Sequence, residues 1–352
     1  MKKSYTTLFI GLLTLLVYSC IDEITLNVDS DQQFVIVNGL ISDVPGEVSV
    51  TVNNSPIIGV GNDNILVPIS AAQVQLFEND NPVAQFVESL DEAGTYLAQF
   101  NGAQEGALYQ IVVTLPDGSI VESQPQSIPV SNLAIDTIDF EIVPVEFINE
   151  TGNVATNDFV EIYVNSEQIV DRAFLRWRVT GEYQIVEKAF GLLFPRNCYV
   201  KENIDFNRVT IADSETYSDG RVRDLPVMRL PMDSRFNIVY LFNVFQYTMS
   251  EAEYLYWSRI QELIDVEGTL FDPPPGILNG NLVNRTNPDE RVQGYFSVVR
   301  QSFQRRFVDI TQRGFFADTD CESRPNANNP EKCLDCTTLS RSTLEKPDYW
   351  RF

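Results

Sequence analysis

The chain has 352 residues, no histidine, and 49 acidic against 25 basic side chains, a net charge of −24 at pH 7. Such acidity excludes nucleic acid as a partner, because nucleic-acid binders gain affinity by setting Lys and Arg on phosphates. Without histidine there is no Ser-His-Asp or Cys-His nucleophile system, no His-ligated zinc and no ordinary near-neutral proton shuttle, while a hydrophobic fraction of 44% still supports a folded globule.

In chain order, Lys2 and Lys3 precede an apolar run from Leu8 to Val17. The run is too short for a membrane helix, which needs ~20 apolar residues, and has the layout of an export signal. It closes on Val17-Tyr18-Ser19-Cys20, an aliphatic residue three before a cysteine and a small one just before it. This resembles a bacterial lipobox, so residues 1–19 are expected to be a lipoprotein signal peptide, Cys20 the lipidated residue and 20–32 a tether. The acidic pair Asp22-Glu23 resembles the signal that sends such proteins to the outer face of the outer membrane.

From 33 to 129, alternating apolar residues predict strands at 33–41, 47–52, 72–78, 83–88, 95–100, 108–115 and 119–124. Turns are expected at Asn79-Asp80-Asn81-Pro82 and Pro116-Asp117-Gly118. Seven short strands in this span fit an Ig-like β-sandwich, with Tyr96 and Tyr109 in its core. A linker with two prolines follows at 124–135. Residues 130–352 are expected to form a second β-rich domain, with strands at 136–147, 158–164, 173–186, 236–249, 292–301 and 305–311. Period-two spacing puts Leu175, Trp177 and Val179 on one inner face.

One amphipathic helix, 250–267, is inserted among these strands. Ser250-Glu251-Ala252-Glu253 reads as a capping box, in which Ser250 accepts from the third backbone N–H and Glu253 reaches back. Ala252, Tyr256, Ile260 and Leu263 follow at helical spacing, and Gly268 is the expected stop. Tyr254 and Trp257 fall on another face, and packing into the second domain is favoured over an exposed aromatic patch. Beyond the helix, Pro273-Pro274-Pro275 stiffen a loop.

Four cysteines follow the lipobox: Cys198, Cys321, Cys333 and Cys336. An even count in an exported chain points to disulfides, which four cysteines can form in three ways. The preferred arrangement joins Cys333 and Cys336 separately to Cys198 and Cys321, stapling the tail with Pro347, Tyr349 and Trp350 onto the second domain. Zinc is disfavoured because one close pair is too few for a four-cysteine site, and redox chemistry because no βαβ unit surrounds CLDC. The acidic stretch from Asp213 to Asp224 lacks EF-hand spacing and reads as a charged, solvated loop.

The chain resembles an uncharacterised family of Bacteroidota outer-membrane lipoproteins, catalogued as a domain of unknown function. The resemblance rests on the signal ending SC, VNGLISD…GALYQIVVTLPDG, SEAEYLYWSRI, GTLFDPPPGILNGNL, GYFSVV and CLDCTTLSRSTLEKPDYW. It implies an Ig-like first domain, a β-rich second domain and a lipid anchor. It also implies an accessory role in uptake beside a TonB-dependent receptor, analogous to the lid lipoproteins of glycan importers. The family brings no catalytic residues, so the expected protein is non-enzymatic, with no cofactor, no metal and a ligand left open. Its expected partner or ligand surface comprises Tyr254, Trp257, Phe271 and Pro273, Pro274 and Pro275. The alternative is a structural or adhesive surface lipoprotein that binds polymers or other proteins.

Overall fold

In the computed structural model, residues 33–56, 66–131, 133–187, 195–204, 208–264, 278–317, 320–321 and 329–352 are described. The fold is mainly β. In the first unit the alternating apolar residues form β1 (Val35–Ser42), β2 (Gly46–Asn54), β3 (Val67–Pro68), β4 (Gln73–Glu78), β5 (Asn81–Glu88), β6 (Thr95–Phe100), β7 (Tyr109–Thr114) and β8 (Ile120–Ser123). β2 pairs with β1 and β6, while β4 pairs with β5 and β7, and β7 with β8. β5 joins the two halves by also pairing with β6 at Val87 and Glu88. The period-two sequence sends Val37, Val50 and Val52 from one half and Val74, Leu76, Ile111 and Val113 from the other into a single apolar cluster.

The turn residues act as their chemistry dictates. Asn79 and Asp80, joining β4 to β5, both take positive φ (45° and 65°), the conformation of a tight hairpin turn that these residue types tolerate. Tyr96 and Tyr109 are buried, and each hydroxyl is satisfied. Tyr96 accepts from the Ala72 N–H and donates to the Ile69 carbonyl. Tyr109 accepts from the Gln104 N–H and donates to Glu78; burial together with Glu78 pushes its pKa up to about 12.

The second unit contains β9 (Ile135–Ile148), β10 (Val154–Ser166), β11 (Phe174–Val186), β12 (Asn197–Asn203), β13 (Thr210–Asp213), β14 (Leu225–Pro231) and β15 (Tyr240–Met249). Then come helix α1 (Glu251–Ile264), β16 (Leu282–Asn284), β17 (Val292–Gln293), β18 (Phe296–Val308), a short α2 (Glu331–Leu334) and β19 (Ser342–Thr343). A three-stranded sheet, β14-β10-β9, lies against β18-β15-β11-β12-β19. Ile138, Phe140, Val160 and Ile162 of the first meet Leu175, Trp177, Val179 and Val244 of the second in one core. Trp177 faces inward as its spacing requires, and its Nε1 donates to Gln246 at 3.0 Å.

The structure differs from the expected boundary at 129/130. β18 pairs in parallel with β1 over Phe296–Val299 and antiparallel with β15 over Arg300–Thr248 to Val308–Tyr240. One 16-stranded sheet therefore runs through both units. The expected strands at 292–301 and 305–311 merge largely into this one element, and β16 and β17 return to β8 and β1. Leu282, Phe296 and Val298 thus belong to the first core. The linker is pinned as well: the Leu133 carbonyl accepts from Gln246, the Pro129 carbonyl from Arg300, and the Ile135 N–H donates to Ser302.

Close packing of the second sheet depends on Gly181. A Cβ there would lie 1.8 Å from the Tyr240 hydroxyl oxygen. Tyr240 cannot swing aside, because its hydroxyl donates to Glu202 and its ring stacks on Phe236 at 4.6 Å. Gly181→Ala is expected to cost about 1–3 kcal/mol in urea unfolding. Gly46→Ala, with nothing within 4 Å of its added Cβ, is the control expected to stay within about 0.5 kcal/mol.

Candidate functional site

Helix α1 begins as its sequence predicts in one respect and departs in another. Ser250 Oγ accepts from the Glu253 N–H at 3.2 Å, the N-cap bond that satisfies an orphan donor. Glu253, however, does not act as the reciprocal cap. Its Oε1 accepts from Ser297 Oγ at 2.7 Å and from Trp257 Nε1 at 3.2 Å. At 2% exposure it is more buried than any other residue of the helix. The reason is angular: position 253 shares the inward face with Tyr256 and Trp257, and a carboxylate there is too valuable to the buried donors to turn back toward the cap. Burial pushes the Glu253 carboxyl up, opposed by the nearby charge of Arg176 and by its two donors.

The inward face also differs from the expected set. Ala252 and Leu263 are exposed, whereas Glu253 and Tyr256 are buried and Trp257 and Ile260 half-buried. Tyr256 packs 4.9 Å from the Tyr295 ring. The Arg176 guanidinium lies 3.7 Å over Trp257, a cation–π contact. Tyr254 packs 5.0 Å from Phe174. Tyr254 and Trp257 are therefore part of the seam with the sheet, joined to Phe174, Tyr247 and Met249 in one cluster. Phe271, Pro273, Pro274 and Pro275 lie outside the described residues.

Two open grooves flank the helix. One of about 440 Å³ lies at its start, between Val130, Arg172, Phe174, Met249 and Glu251. There the Arg172 guanidinium sits 4.7 Å over Phe174 while Asp213 holds it at 2.7 Å. The Asp213 carboxyl is held down by that arginine, so this part of the acidic loop is engaged in an ion pair. The other groove, about 400 Å³, lies at the helix end between Arg208, Ile211, Gln261 and Ile264. Chemically, the first can stack a flat or apolar group beside a guanidinium. The buried acid of the helix, Glu253, does not line either groove; its carboxylate is taken up by Trp257 and Ser297.

Far from the helix, the tail is stapled. Cys198 bonds Cys336 and Cys321 bonds Cys333, so the two cysteines of CLDC take separate partners. The Cys336 N–H donates to fully buried Glu187, which also receives two bonds from Arg196. Trp350 lies between Tyr199 and Phe307, at 5.2 and 5.5 Å. Cys20 lies outside the described residues.

Sequence reasoning missed Glu253, Arg176 and Ser297 as a group. The available signal was Glu253 sharing a helical face with Tyr256 and Trp257, which the capping-box pattern concealed. A family model described as a domain of unknown function (DUF4249) matches residues 21–305. The match takes in the first β unit and the second as far as Arg305 within β18, and stops before the stapled tail. No curated protein matches the chain.

Proposed function

The chain belongs to this DUF4249 family, and on that premise we propose that it is a non-enzymatic lipoprotein of the outer membrane. In this reading it captures or gates a nutrient beside a TonB-dependent receptor. The lipid on Cys20 holds it at the membrane, an Ig-like first unit sets its distance, and the helix with its flanking grooves and proline loop presents the binding surface. The observation that carries the reading is the character of the helix seam. Its acid is closed off by Trp257, Ser297 and Tyr256, while the open groove at its start offers the Phe174 ring and the Arg172 guanidinium. That is the makeup of a surface that binds rather than one that turns over. The sheet continuing through β18 supports it further, since β1, near the start of the described chain, and β15, which leads into the helix, are strands of one sheet.

Native protein purified from detergent-solubilised outer membrane is expected to bring down a β-barrel receptor. Recovery with no such partner, together with binding of the purified protein to cells or polymers, would instead favour an adhesive role.

A further inference from the structure

The outer edge of β18 is open where β1 ends. β1 pairs with β18 as far as Ser42–Val299, and from Arg300 to Val308 the partner is β15. The direction of the main-chain groups follows from two bonds. The Val299 carbonyl accepts from the Asp43 N–H, and the Gln301 N–H donates to Asp43 Oδ1. Residues 299 and 301 thus turn their backbone toward the β1 side. Alternation along an unbroken register carries Phe303, Arg305 and Phe307 the same way. Among the described residues no strand takes up these groups. A groove of about 640 Å³ runs along this stretch, walled by Asp348, Tyr349 and Arg351 of the tail.

The charge of this edge is opposite to that of the molecule. Nine arginines elsewhere pair with carboxylates: Arg172, Arg196, Arg221, Arg223, Arg229, Arg235, Arg285, Arg300 and Arg341. Among the described residues, Arg305, Arg306, Arg313 and Arg351 have no carboxylate within ion-pair distance, in a chain of net charge −24; Arg208, Arg259 and Arg291 also have none but lie singly on other parts of the chain. Arg305 is held by Asn243 and by the rings of Tyr349 and Phe303, 3.9 and 4.6 Å away. Arg306 and Arg313 both approach Phe140, and Arg306 Nε is buried without a hydrogen-bond partner. Arg305, Arg306 and Arg351 line the groove against a single carboxylate, Asp348, so its wall is net positive. A second copy is the wrong occupant, since antiparallel edge pairing centred here would set Arg305 against Arg305.

We propose that the edge of β18 from Phe303 to Phe307 is a strand-addition site for an extended, acidic segment of a partner protein. The main chain at 303, 305 and 307 supplies the ladder, and the arginines select carboxylates on alternate residues. The proposal goes beyond the uptake reading and does not depend on it.

The test uses the full chain in mild detergent and a labelled short peptide alternating valine and glutamate, with binding followed by fluorescence anisotropy. Binding should weaken with salt. It should fall about tenfold or more, a loss of ~1.4 kcal/mol, with Arg351→Glu at the exposed tail, and likewise with Arg305→Glu. A valine–lysine peptide and a glutamate peptide N-methylated at alternate residues should both fail. No binding by the glutamate peptide, equal binding by the lysine peptide, or equal binding by the N-methylated peptide would each overturn the proposal. So would sedimentation showing a dimer that the peptide disperses, because the occupant would then be a second copy.

Discussion

Glu253→Ala is expected to destabilise the protein by about 3 kcal/mol, while Glu253→Gln should change stability by no more than about 1 kcal/mol. The asymmetry follows from one oxygen. Both Ser297 Oγ and Trp257 Nε1 donate to Oε1, and an amide oxygen in the same place keeps both bonds. Alanine leaves two buried donors unmatched at about 1–3 kcal/mol each and opens a void beneath the helix. The same carboxyl also makes stability depend on pH. Burial raises its folded pKa above the unfolded carboxylate value of about 4.3. Its contribution is therefore fully present below the unfolded value and is lost as pH rises through the folded one. Glu253→Gln removes this loss, so its stability relative to the wild type should grow across that window. Urea unfolding over a pH series measures both effects. Equal stability of the alanine and glutamine variants would show that the helix seam rests on ring packing alone.

How far the sequence reveals this molecule depends on what each residue pattern encodes. Alternation is local, so β1, β2, β4, β6 and β7 were legible, as was the inward turn of Leu175, Trp177 and Val179. Alternation does not name a partner. The stretch around Phe296–Val308 looks the same whether it ends one sheet or joins two, and so the expected domain boundary missed the return of residues 282–299 to the first unit. β12 and β14 do not alternate: Cys198, Tyr199 and Val200 are buried in a row, and Pro226 and Pro231 punctuate β14, while β13 has only four residues. At the candidate site, Tyr254 and Trp257 were visible because aromatics stand out, and their packing on Phe174 and Arg176 agrees with the expected groove. Glu253 stayed hidden because the same residues that cap a helix can also bury one of their members. The arginine edge of β18 was invisible for a further reason: an edge is a property of what fails to pair, which no single strand's sequence records.

Removing Cys198–Cys336 is expected to cost the most of any tail change, about 4–5 kcal/mol, against about 3 kcal/mol for Cys321–Cys333. The difference comes from the unfolded chain. The first bridge closes a separation of 138 residues and the second one of 12, and the entropy removed grows with the logarithm of that length. Paired alanine variants (C198A with C336A, and C321A with C333A) avoid introducing a buried hydroxyl and should show this order in urea unfolding; equal losses would defeat the loop-length argument. The larger bridge should also govern the tail locally. Cys198 adjoins Tyr199, which carries Trp350, and the Cys336 N–H is gathered by Glu187 together with Arg196. With that bridge gone, the tail keeps the short Cys321–Cys333 loop but loses its covalent hold on β12. Amide hydrogens from 337 to 352 should then exchange through local opening, well before the β15–β18 ladder does. If they remain protected until the whole sheet unfolds, Tyr199, Phe307 and Trp350 hold the tail by packing, and the disulfide contributes to overall stability without controlling the chain end.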